Sequence, residues 1–288
     1  MKYSSRFFLY APMGLFLAIA FGVGIHWWLM ASALSARLAA WNGHQIAPGV
    51  TMQFASRTIS GFPFSLDIVF RDVAFAVATP RGPTTWRSEK FAMHALTYGR
   101  DETIFEAAGR QELDWTRDDG KNRNLVFVVG SLHASAIEDR GGLTRFDLDL
   151  IGFNSPALRA QRLQFHVRLD RNDTLELAVM ADGLRTGLVS CPNLGDGVDG
   201  LTMGKTITKA GAFSLLRAGT QSWEAAVRGW RTLGGKIDRS DPRLVSPEAH
   251  SANASLRLQE ALQRIPADRI FAVSDLSDAL CGIDTAHH

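Results

Sequence analysis

Residues 162–170 read Arg-Leu-Gln-Phe-His-Val-Arg-Leu-Asp. The apolar set Leu163, Phe165, Val167 and Leu169 alternates strictly with Arg162, Gln164, His166, Arg168 and Asp170. A helix would space its apolar residues by three and four; a period of two places them on one face of a β-strand and the charges on the other. One greasy face and one wet face mark an antiparallel sheet rather than a parallel one buried on both sides.

The same alternation extends in both directions. Phe146, Leu148 and Leu150 alternate with Arg145, Asp147 and Asp149, and Leu175, Leu177 and Val179 follow a turn at Asp170–Asp173. Upstream, Val50, Met52 and Phe54 alternate, as do Leu66, Ile68 and Phe70. Downstream, Leu201, Met203 and Ile207 keep the period, interrupted by Lys205, and Leu256 and Leu258 are read as its end. Leu125 to Val129 is apolar at every position, as expected of a strand covered on both faces. Turn residues recur at Gly61-Phe62-Pro63, Gly82-Pro83, Asp119-Gly120 and Gly141-Gly142.

Two segments break the rule. Phe7 to Met30 holds 24 residues whose only titratable groups are Tyr10 and His26. As a helix it would be about 36 Å long, against a hydrocarbon core of about 30 Å. Lys2 and Arg6 precede it, which predicts a cytoplasmic N-terminus and a body on the far side. Trp27 and Trp28 suit the far headgroup level, and Ala31 to Trp41 extends the helix until Asn42-Gly43 stops it. The competing reading is a signal peptide cleaved at Ala31-Ser32-Ala33, but signal cores are usually shorter. The second exception, Ala212 to Leu233, repeats Leu215, Leu216, Trp223, Val227 and Trp230 at mostly helical spacing and closes at Gly234-Gly235. It predicts an amphipathic helix lying over the sheet.

The expected fold is therefore α+β, mainly β. A transmembrane helix (residues 1–42) leads into a long, mostly antiparallel curved sheet (43–210), and residues 211–288 add the covering helix and short strands. Removing Lys2 and Arg6 from 31 basic and 29 acidic residues leaves 29 against 29. A neutral body has no field to attract nucleic acid. In an oxidising compartment Cys191 and Cys281 are read as a disulfide, with two buried thiols as the alternative. Pairing would close a loop of about 90 residues, worth about 4–5 kcal/mol in the chain-entropy model.

Motifs for chemistry fail one by one. Gly204-Lys205-Thr206 has Asp199 where a phosphate loop needs glycine. Asp170, Asn172 and Thr174 lack the glycine and glutamate of a calcium loop, so Gly195–Gly200 is read as a long turn. There is no Gly-x-Ser-x-Gly elbow and no His-Glu-x-x-His, so no cofactor, metal or catalytic residue is assigned. His133, His166, Asp147 and Asp149 are read as a solvated charge ladder rather than an acid–base site.

Ser60-Gly61-Phe62-Pro63-Phe64-Ser65-Leu66-Asp67, soon after an apolar helix and running into strands, resembles the bacterial domain-of-unknown-function family 2125. Trp86, the strand-like Phe91 to Tyr98 and the helix closing at Gly234-Gly235 are similar too. The resemblance implies an anchored envelope protein with a β-rich periplasmic part, and a more distant likeness to AsmA-type proteins implies lipid handling. From the residues alone, Gly61, Phe62, Pro63 and Phe64 are read as a rigid corner plugging the core, with a lipid-contacting lip as the lesser reading. The leading functional expectation is non-enzymatic binding of lipid or another apolar ligand along the sheet. A structural or assembly subunit that contacts other envelope proteins and an envelope hydrolase with a non-standard site are the alternatives.

Overall fold

The computed structural model describes residues 5–47, 49–79, 82–96, 102–116, 120–139, 142–188, 191, 193–194, 197–213, 223–245 and 252–264. Helix α1, Ser5–Trp41, runs 37 residues through Pro12 and ends where Gly43 takes a φ of +78°. Its apolar window is long enough to cross a membrane, and none of it is buried against the body.

Twelve strands among the described residues form one open antiparallel sheet. β1 (His44–Ala47), β2 (Val50–Gln53) and β3 (Ser56–Ser60) are short. β4 (Ser65–Thr79), β5 (Gly82–Leu96), β6 (Glu102–Thr116) and β7 (Asn122–Asp139) are long, about 50 Å for 15 residues. β8 (Gly142–Asn154), β9 (Leu158–Leu169), β10 (Thr174–Thr186), β11 (Val198–Thr208) and β12 (Ile237–Val245) complete the meander. From β4 onward each strand pairs with the next; β2 and β3 lie end to end along the free edge of β4.

Register turns the alternation into continuous rows. Ile68, Met93, Phe105, Ala134, Leu148, Phe165, Val179 and Met203 stand opposite one another across β4 to β11. A second row runs Phe70, Phe91, Ala107, Leu132, Leu150, Leu163, Ala181, Leu201 and Leu244. A third begins at Leu66 and passes through Ala136, Phe146, Val167 and Leu177 to Lys205, which is buried on this apolar side. Cross-strand neighbours of this kind are the unit of sheet stability.

The alternation then slips by one residue in most of these strands, along a single line. Inward positions pass from Phe70 to Val73, from Phe91 to Ser88, from Leu132 to Val129, from Leu150 to Phe153, and from Ala181 to Leu184. The line crosses Asp72, Gly109, Gly152 and Gly183 on alternate strands, and all four have positive φ. Such bulges bend a strand and raise its twist, so the line creases the sheet while keeping one face apolar on both sides.

Two hydrophobic cores lie on that face and meet at Phe153. The first gathers Phe54, Ile68, Phe70, Val73 and Phe91 with Leu34 and Leu38 from α1; stacked and edge-on aromatic contacts join Phe70, Phe91, Phe105, Phe75 and Trp86. The second gathers Cys191, Leu194, Val198 and Met203 with Leu258 and Leu262 from helix α3 (Ala252–Arg264).

Four expectations change here. Helix α2, Trp223–Thr232, buries Ala226 and Trp230, but among the described residues neither belongs to the two clusters on the sheet face. Trp230 instead pins α2 to the end of β11, its indole N–H donating to Thr208 O at 2.9 Å and its ring edge-on to Phe213. The core is joined by α3, because Leu258 and Leu262 share one helical face; Leu256 points outward, so Leu256 and Leu258 end no strand. Val128 is 48% exposed, so β7 is covered on one face only. Finally, Val198–Gly200 belongs to β11 rather than to a long turn, with Asp199 held by Arg185 at 2.6 Å. Lys2, Gly195, Leu215, Leu216, Cys281 and the side chain of Trp223 lie outside the described residues.

Candidate membrane-facing site

The turn Gly61–Phe64 joins β3 to β4. Gly61 has a φ of +98°, and the Ser65 N–H and hydroxyl both donate to its carbonyl, at 2.9 and 3.1 Å. A Cβ on Gly61 would stand 2.6 Å from an Asp67 carboxylate oxygen and 2.8 Å from the Ser65 carbonyl. Only glycine fits. The Phe62–Pro63 peptide is cis.

These aromatics do not plug the core. Phe62 is 60% exposed and Phe64 62%. The turn is instead fastened to the apolar helix: the Trp27 indole N–H donates to Ser65 O at 2.9 Å, and its ring meets Phe62 edge-on at 5.6 Å. The Phe62 ring extends along α1 to Gly24, about one helical turn nearer the middle of the apolar segment, where the missing side chain leaves it room. Trp28, the next residue, is 63% exposed on another face of α1. Trp27 therefore faces the body and Trp28 faces outward, two environments that the sequence reading had merged.

Above the turn, a groove of about 470 Å³ separates α1 from the segment 54–59, lined by Trp27, Ser32, Ser35, Asn42, Ser56 and Arg57, among others. Arg57 Nη2 donates to the Ser35 carbonyl at 2.8 Å and to its hydroxyl at 3.1 Å, and the guanidinium lies 5.6 Å from the centre of the Phe54 ring. Asn42 Oδ1 accepts the Phe54 N–H at 2.9 Å. Among the described residues no carboxylate pairs with Arg57. The sequence reading did not single out this groove. Its signal is a parity: Arg57 stands opposite Phe70, a cation at a position where β3 should carry an apolar residue.

The wet face carries the ladder expected from the alternation. His94 bonds Asp67 at 2.8 Å and lies 3.6 Å from Glu106, which His133 approaches from the next strand at 3.5 Å. Asp147 is held by Arg145 and by His166 at 2.6 Å, and Asp149 by both nitrogens of an Arg162 fork at 2.7–2.8 Å. Burial pushes the Asp147 carboxyl up, but the hydrogen bonds and charges of His166 and Arg145 overcome it and hold the group below its ordinary value. Asn124, against a smaller opposing burial effect and with help from Arg87, does the same for Asp114. His133 and His166 sit two strands apart on separate partners, so the fold does not gather them into one site. No cluster of three metal-binding side chains occurs among the described residues.

Cys191 is buried and disulfide-bonded; the chain's other cysteine, Cys281, lies outside the described residues. No curated protein and no solved structure matches the chain, and a likeness to AsmA-type proteins is not shown. The model of one family matches residues 27–263, from Trp27 at the lip through the sheet to the last described turn of α3. The chain accordingly belongs to DUF2125, a family of uncharacterised proteins conserved in bacteria.

Proposed function

We propose that this is a single-pass, inner-membrane-anchored envelope protein whose sheet body stands on the periplasmic side and binds lipid or another apolar ligand without catalysing a reaction. One observation carries the reading. Phe62 and Phe64, both exposed, sit on a turn fixed to Trp27 near the end of the apolar helix, and Leu66, two residues on, heads an apolar row of the sheet. A path of apolar side chains thus leads from bilayer level onto the sheet. Exposed aromatic pairs are costly in water and stable in the interface, where tryptophan also concentrates.

Retention of α1 fits this reading. Cleavage after Ala33 would sever Trp27 from Ser65 and leave the turn without its support. The neutral charge of the body favours an apolar partner over a polyanion.

Native mass spectrometry of the detergent-extracted protein tests the proposal. The expected spectrum shows co-purified lipid on a chain that retains residues before Ala31, with less lipid on the Phe62→Ser/Phe64→Ser variant. A lipid-free spectrum, or equal lipid on the two proteins, contradicts it.

A further inference from the structure

We infer that the groove between α1 and β3 is a binding site for the phosphate of an anionic lipid headgroup, with Arg57 as its cation. The inference rests on the lipid reading for its source of phosphate, but its geometry is independent of the sheet face. The groove begins at Trp27, where the apolar helix meets the interface, and reaches Ser35 about 12 Å further along the helix. A headgroup layer is about 5–8 Å deep on each side, so a lipid whose acyl chains stay beside Phe62 must lift its phosphate about 4–7 Å beyond that layer, up the groove, to reach Arg57.

The chemistry of the walls fits a phosphodiester. Arg57 is held by one terminal nitrogen to Ser35, and its flank rests near the Phe54 ring. Its Nε and Nη1 donors have no partner among the described residues, and a planar fork with two donors to spare matches two phosphate oxygens. Asn42 spends its carbonyl oxygen on the Phe54 N–H, and its amide N–H₂, at the same groove, has no partner among the described residues. Ser32 and Ser56 add hydroxyls. Arg57 and its ring neighbour are ordered by contacts within the protein, so the site is formed before any ligand arrives.

The test uses the full chain in nanodiscs of equal phosphatidylglycerol and phosphatidylcholine, read by native mass spectrometry of retained lipid. Wild type should enrich phosphatidylglycerol over phosphatidylcholine about tenfold, the weight of one charge-assisted contact, and Arg57→Gln should bring the ratio near one. Arg57→Gln also loses the Ser35 bonds. Ser56→Glu, which puts a carboxylate on the groove wall with Arg57 intact, should abolish the enrichment by repulsion while circular dichroism stays unchanged. In a second arm, calorimetry with inorganic phosphate is run on the protein in phosphatidylcholine nanodiscs. Arg57-dependent binding of phosphate without lipid enrichment would keep the site, assign it to free phosphate and remove the lipid reading. Lipid retention that responds to Phe62→Ser/Phe64→Ser but not to Arg57→Gln or Ser56→Glu would overturn the inference and leave the lipid reading standing. Neither signal would overturn both.

Discussion

Replacing Phe62 and Phe64 by serine should destabilise the body chiefly because a bilayer is present. An aromatic side chain carries about 150–250 Å² of surface, so exposures of 60% and 62% leave roughly 110 Å² per ring outside the protein. At about 25 cal/mol per Å² the pair is worth about 5 kcal/mol if both rings leave water, and about half that if the interface stays partly wet. In a turn that faced solvent the pair of changes would still lose the edge-on contact between Phe62 and Trp27 and would cost about 1–2 kcal/mol in all. Urea unfolding of the full chain in nanodiscs, followed by the β signal in far-ultraviolet circular dichroism, separates these cases. Val77→Ser is the control: it is 42% exposed and lies about 40 Å away along β4. The double variant should lose about 2.5–5 kcal/mol and the control almost nothing. A loss of about 1–2 kcal/mol, or one equal to the control's, would refute the seating of the turn in the membrane.

Other outcomes follow from single contacts. Gly61→Ala should lower stability by at least about 1–2 kcal/mol in the same assay, because φ is +98° and a methyl group would collide with the Ser65 carbonyl; an unchanged midpoint would contradict this. Peptide mapping without reduction should recover Cys191 linked to Cys281, and Cys191→Ser should cost about 4–5 kcal/mol for a loop of about 90 residues; two free thiols would remove the prediction. Asp147 is more acidic in the folded state than its ordinary value of 3.8, so it stabilises the fold fully above that value and loses its contribution as pH falls through the lower folded one. An acid titration of stability should therefore show a descending limb below about pH 4 that Asp147→Asn flattens.

Much of the sheet was legible because β8, β9 and β10 alternate over 145–150, 162–169 and 175–179, and a period of two admits one local geometry. The crease was not. Each slip is a single residue, at Asp72 in β4, at a glycine in β8 and β10 and without a glycine in β5, which looks like noise in one strand and becomes a line only when registers are aligned. Helix α3 was misread because Leu256 and Leu258 are two apart, whereas the buried pair Leu258 and Leu262 is four apart. The Gly-Phe-Pro-Phe turn was placed inside because a core and an exposed apolar contact surface select the same side chains. What decides between them is the partner, and Trp27 lies 38 residues from Ser65. Arg57 escaped notice for the converse reason: one cation on an apolar parity has meaning only once α1 is seen opposite β3.

The most direct measurement is the depth of the turn. A spin label on a cysteine placed at position 64, and separately at position 77, reports collisions with oxygen and with a water-soluble nickel complex in nanodiscs; the disulfide-bonded Cys191 takes no label. The account predicts that position 64 is rich in oxygen collisions and shielded from nickel, while position 77 shows the reverse. Equal accessibility at the two positions would mean that the lip stands in water and that the body is tethered to the membrane without resting on it.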